Sequence, residues 1–211
     1  MKRSFMVGAL AALFANVALA APYTVDQAND ALPIAGGFTI NAGPIGQSFV
    51  PTLNQLGVVE LIINDQNPNF GAGVNLAVNI RDGDISGAIL GTSQHVFFHD
   101  QTPMPFQQPE QLRFDFVVPV TLTPGHSYVI EPVRIDGGPS DQGVFGTGFG
   151  IDAYAPGVSF FEGAVYNDPV NAPFDLWFRE GVITSVPEPS TYVLGLIGLL
   201  AVVWHRKRFF R

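Results

Sequence analysis

The chain has 211 residues, 47% of them hydrophobic, no cysteine, and a formal net charge of −8 at pH 7. Without cysteine there are no disulfides, no thiolate metal ligands and no cysteine nucleophiles. Between Ala21 and Pro189 the only basic residues are Arg81, Arg113, Arg134 and Arg179, set against all 18 acidic residues, so this region carries four positive and 18 negative charges, a balance of −14; a body with that field excludes a nucleic-acid partner and does not attract anionic lipid.

The first segment opens Met1-Lys2-Arg3 and then runs apolar from Phe5 to Ala20, interrupted at Asn16. Ala18 and Ala20 place small side chains before Ala21-Pro22. A basic start, an apolar middle and an A-x-A site predict a secretory signal helix over 1–20, cut between Ala20 and Ala21. The exported part, 21–185, is long enough for one domain with its own core.

Within that part, Gly and Pro recur evenly and no stretch has the period of a long amphipathic helix. Runs of Val, Ile, Phe and Tyr alternate with turn clusters, which predicts strands over 37–41, 47–50, 57–64, 74–81, 90–99, 111–118, 127–135, 144–153, 158–161 and 175–182. Leu76, Val78 and Ile80 face opposite Asn75, Asn79 and Arg81. Leu112, Phe114 and Phe116 face opposite Arg113 and Asp115, and Tyr128 and Ile130 opposite Glu131. Leu176 and Phe178 face opposite Asp175 and Arg179. Period two with one wet face is the pattern of antiparallel sheets packed face to face. The expected fold is all-β, an antiparallel jelly-roll-like β-sandwich flanked by the signal helix and a C-terminal transmembrane helix.

The last stretch, 186–211, has three parts. Pro187-Glu188-Pro189 comes first, and two prolines so close cannot continue a helix. Then Tyr192, Leu194, Leu196, Leu199, Leu200, Val203 and Trp204, with small residues between them, make a helix apolar on every side, as expected of a membrane anchor. The uncharged run from Ser190 to Trp204 is shorter than the roughly 20 residues a span needs, so snorkelling by Arg206 and Arg208, or burial of His205, must supply the remainder. Arg206, Lys207, Arg208 and Arg211 hold the end on the cytoplasmic side.

This tail resembles the PEP-CTERM sorting signal of Gram-negative bacteria, in the motif Pro187-Glu188-Pro189, the apolar run and the basic end. The resemblance implies recognition by an exosortase, a membrane transpeptidase acting near the motif. It also implies an inner-membrane precursor and final placement at the cell surface or in an exopolysaccharide or biofilm matrix. A second resemblance covers Gln47 to Val182. It is carried by Gln47-Ser48-Phe49-Val50-Pro51, Val58-Val59-Glu60-Leu61, Val78-Asn79-Ile80-Arg81-Asp82-Gly83, Phe114-Asp115-Phe116, the run from Leu122 to Glu131, and Asp175-Leu176-Trp177-Phe178-Arg179. In that order they are similar to exported sandwich domains found beside such surface anchors and, at fold level, to galactose-binding-like and carbohydrate-binding modules. No binding residue carries over, because fold does not set function.

Several constellations have both a chemical and a plain reading. Pro124-Gly125 is a type II turn that feeds the next strand. His95 and His99 are two pleats apart, too far to share a metal without a third ligand, and are expected as exposed edge residues. Asp82-Gly83-Asp84 offers oxygens to calcium but lacks EF-hand spacing and is equally a turn signal. Calcium stays open with no assigned ligands, and no other cofactor or metal is implied. Glu60 and Glu131 form a glycosidase pair only if the fold brings them together; otherwise a glutamate like Glu60 pairs with Arg134 or Arg179. No Gly-x-Ser-x-Gly elbow or phosphate loop is present. Of the aromatics Tyr154, Phe160, Phe161, Tyr166 and Trp177, most are expected in the core, with Tyr166 and Trp177 as the candidates for an exposed, glycan-facing platform. The expectation is a non-enzymatic envelope or matrix protein with a structural or adhesive role. The alternatives are a carbohydrate-binding module, which needs the exposed platform, and a glycan-active enzyme, which needs the carboxylate pair.

Overall fold

A computed structural model describes residues 20–30, 34–65, 73–99, 109–137, 143–148, 154–166 and 174–184. The predicted signal helix up to residue 19, including Ala18, lies outside the described residues. So do the sorting motif Pro187-Glu188-Pro189, the predicted anchor and the basic end.

The described residues form thirteen strands and one turn of 3-10 helix. The strands are β1 (Tyr23–Asn29), β2 (Ile34–Thr39), β3 (Gly46–Phe49), β4 (Gln55–Asp65), β5 (Val74–Asp82), β6 (Ile89–Thr92), β7 (Val96–Phe98), β8 (Glu110–Thr121), β9 (Tyr128–Arg134), β10 (Gly143–Gly148), β11 (Ser159–Phe161), β12 (Ala164–Val165) and β13 (Phe178–Ile183). One sheet has the order β1-β13-β4-β10-β2, with β8 also paired to β4. The other has the order β12-β11-β3-β9-β5-β6, with β7 also paired to β5. The pairings are antiparallel, as the one-sided alternation of the sequence requires.

The core lies between the sheets. Val59, Leu61 and Ile63 of β4 and Leu112, Phe114 and Phe116 of β8 meet Leu76, Val78 and Ile80 of β5 and Phe49 and Ile130 of the same sheet. Phe49, Phe114 and Phe178 are fully buried, each worth about 1.5–3 kcal/mol of apolar burial. β4 lies between β8 and β13, and Val58 and Ile62 on its other face are buried too. That explains why its sequence is a continuous apolar run broken only by Glu60.

Three differences from the sequence expectations have physical causes. The run 90–99 is two short strands: the Ser93 amide still bonds Val78 of β5, but the next amide, Gln94, bonds Asp115 of β8 in the other sheet, so the ladder breaks there. Asp175, expected on a wet face, is buried, with its carboxylate accepting from the Gln47 side chain at 2.8 Å and the Tyr154 amide at 3.1 Å. β1 has no counterpart among the expected strands; it is an edge strand held by β13. The Pro124-Gly125 turn forms as expected, with Gly125 at φ 80° and the His126 amide bonding Thr123 at 3.1 Å.

Candidate functional site

The two ends of the domain meet at one corner. In the β1–β13 ladder Tyr23 faces Ile183 and Thr24 faces Val182. One step beyond, the Thr184 amide and hydroxyl both donate to the Pro22 carbonyl, at 2.9 and 3.0 Å. Ala20 and Ala21, the expected cleavage residues, are exposed beside this clamp. The segment that enters the domain at Pro22 and the one that leaves it at Thr184 therefore lie within one strand spacing, about 5 Å.

Behind the corner is an interior polar cluster that the sequence did not reveal. Asp26 of β1 accepts from the Thr52 amide at 2.8 Å, the Leu53 amide at 2.9 Å and the Thr52 hydroxyl. Those bonds outweigh its partial burial and lower its pKa. Glu180 of β13 points inward and is fully buried. Neither of its carboxyl oxygens makes a hydrogen bond of ordinary geometry. Burial first, and then the Asp26 carboxylate, push its pKa to about 9, with the Gln27 amide acting the other way. Tyr154 closes the cluster: its hydroxyl donates to Gln27 at 3.1 Å and accepts from the Val50 amide at 3.1 Å. Nothing local predicts this pair, because Asp26 and Glu180 lie at opposite ends of the domain sequence.

Glu60 and Glu131 do not meet. Glu60 is on the outer face of the first sheet, where it accepts from the Tyr23 hydroxyl at 2.5 Å and Gln111 at 2.6 Å, with Arg179 4.0 Å away. Burial and this bond push the Tyr23 phenol up to about 12. Arg179, the expected partner, is bonded at 3.0 Å to Asp30. Glu131 is on the outer face of the second sheet, held by Arg81 at 2.7 and 3.1 Å and by Asn79 at 2.8 Å. The core between the sheets separates the two carboxylates, and each is already taken up by its neighbours.

The expected aromatic platform is corrected. Trp177 is 4% exposed, with Arg179 stacked over its ring 5.3 Å from the centroid. Tyr166 is half-buried and packs edge-on against Phe38, 4.9 Å between centroids, and against Phe174. A cleft of about 620 Å³ between 40–44 and 131–134 has no aromatic lining.

His95 and His99 flank β7 and are exposed, as expected of edge residues. Asp82 ends β5 and Asp84 sits in the turn after it, and the Asp82 carboxylate lies 2.7 Å from His126. Among the described residues no three His, Asp or Glu side chains are grouped to hold a metal, and no helix is long and apolar enough to cross a membrane.

The described residues form a β-rich domain whose last bonded residue is Thr184. Residues 185–208 match the PEP-CTERM protein-sorting motif, beginning directly after Thr184. That motif implies export, processing by an exosortase and sorting to the cell surface. No curated protein matches the chain.

Proposed function

We propose that the domain is a non-enzymatic structural or adhesive component of the cell envelope or of an exopolysaccharide or biofilm matrix, delivered there by an exosortase. The observation that carries this is the sorting motif beginning one residue after the last bonded residue of a folded, acidic domain. The signal peptide exports the chain. The helix over 192–204 then holds the precursor in the inner membrane with its basic end inside, and the Pro187-Glu188-Pro189 motif stands just outside the bilayer for cleavage. The jelly-roll-like sandwich is the cargo. Three features support a cargo without chemistry of its own. The two candidate catalytic glutamates are on opposite faces, the platform aromatics are packed away, and Asp82 already has a histidine partner. The protein then works without a cofactor, and extracellular polysaccharide is its expected surroundings and partner.

The test is replacement of Pro187 and Glu188 by alanine in the full chain. Helix and charges remain, so the precursor still inserts, but it accumulates in the inner membrane at full length. Processing and distribution like those of the parent would overturn the sorting proposal.

A further inference from the structure

The acidic residues of this domain are not spread over its whole surface. The segments 20–25, 50–57, 116–124 and 181–184 contain no ionisable group except Tyr23, whose hydroxyl is bonded to Glu60. The fold brings all four together. β1, β13, β4 and β8 are successive neighbours in one sheet, and at one end Tyr23 faces Ile183, while Gln55 faces Thr121 and Leu56 faces Val120. Leu122 then bonds Asn54. The result, among the described residues, is a rim along one end of the sheet whose one carboxylate is Asp26.

That rim also carries bare apolar side chains. β8 bulges between Asp115 and Val120, and there Val117 and Val118 are 76% and 77% exposed. Leu53 and Val25 are exposed on the same rim, and Leu90 of β6 continues it across a cleft of about 520 Å³ beside Val117–Thr121. The one carboxylate within the rim, Asp26, is occupied by the Thr52 and Leu53 amides and the Thr52 hydroxyl. Asp82, at the end of β5 in the other sheet, lies beside the loop that follows Leu122, where its carboxylate is 2.7 Å from His126.

The sorting segment leaves the domain from this rim, at Thr184. Seven residues, making eight Cα steps, separate Thr184 from Tyr192, the start of the apolar run. Fully extended they span at most about 28 Å, and two prolines stiffen the path. We infer that the rim formed by the ends of β1, β13, β4 and β8 is a membrane-contact surface, on which the precursor rests against lipid until the tail is cut. The inference builds on the sorting proposal above. A −14 body is repelled by an anionic surface, and this rim brings the bilayer one carboxylate, Asp26, already held by the Thr52 and Leu53 amides and the Thr52 hydroxyl. Exposed valine and leucine contribute weak contacts that the free domain would not hold. A short tether raises the local concentration enough to populate them, and release of the tail ends the contact.

The chain lacks cysteine, so single-cysteine variants of the full-length protein can be labelled cleanly. Leu53→Cys and Val118→Cys report on the rim. Ile135→Cys reports on the opposite end, where Ile135 is exposed beyond β9. Each carries an environment-sensitive fluorophore and is reconstituted into phosphatidylcholine–phosphatidylglycerol vesicles, with flotation read in the same samples. The expected result is flotation of all three, with blue-shifted emission and quenching by spin-labelled lipid at 53 and 118 but not at 135. Replacing Val117 and Val118 by serine should reduce the lipid quenching at 53 several-fold. Flotation with all three positions equally aqueous overturns the membrane contact and leaves the sorting tail standing. Failure to float removes the tail anchor and the inference with it. Protection at 53 and 118 that requires added exosortase shows a protein partner on the rim and overturns the lipid contact.

Discussion

Replacing Glu180 by glutamine should stabilise the domain, and by an amount that grows with pH. Glu180 is fully buried, its charged neighbour is another carboxylate, and its pKa rises from 4.5 to about 9. A carboxyl group whose folded pKa is raised contributes stability that is fully present below the unfolded value, near 4.5, and is lost as pH climbs toward about 9. The folded protein holds this proton at pH 7 and the unfolded chain does not. The interval from 4.5 to 7, at about 1.4 kcal/mol per unit, comes to roughly 3 kcal/mol. Glutamine is neutral throughout and nearly the same shape, so it removes that term. Asp26 has the opposite sign: its lowered pKa gives stability present above 3.8 and lost as pH falls through the folded value, and both proteins share it. Urea unfolding of residues 21–185 at pH 4.5 and pH 7 measures the difference. The two proteins should be close at pH 4.5, and the variant more stable by roughly 3 kcal/mol at pH 7, about 6–12 °C in melting temperature. Parallel pH curves for the two proteins, or a variant less stable at pH 7, would refute the buried protonated carboxyl.

Two further predictions follow from the fold. Replacing Glu131 by alanine strips partly buried Arg81 of both its carboxylate bonds and Asn79 of one; it should cost roughly 3 kcal/mol in urea unfolding, and a change near zero would show that the cluster adds nothing. A protein spanning 21–185 keeps every strand and the Thr184–Pro22 clamp, so it should be β-rich by circular dichroism and melt cooperatively whether or not reductant is present. A strong helical signal or a non-cooperative melt would contradict the two-sheet core.

Much of the sheet body was legible because its signals are local. The alternation at 76–80 and 112–116 reports directly which side chains face inward, and Leu76, Val78, Ile80, Leu112, Phe114 and Phe116 are all in the core. Pro124-Gly125 states its own turn. The misreadings come from burial decided at a distance. Trp177 alternates with Leu176 and Phe178, which implies a wet face, but Arg179 lies over its ring. Asp175 is buried because Gln47, far away in sequence, supplies a donor. β1 was missed because Tyr23–Asn29 has little apolar periodicity, and its pairing with β13 makes it a strand. The Asp26–Glu180 pair exists only through that same pairing. The sorting tail was legible for the opposite reason: motif, apolar run and basic end are contiguous, and an enzyme reads them as a linear signal.

The central claim is an exported domain bounded by two cuts, one before Ala21 and one in the sorting tail. Intact mass of the surface-located protein, from cells with and without the exosortase, tests both at once. The account predicts a form beginning at Ala21 and lacking the apolar run and basic end. Without the exosortase, that form should be replaced by a membrane-bound one that begins at Ala21 and extends to Arg211. A surface form retaining Arg211, or the same shortened form in cells lacking the exosortase, would contradict it.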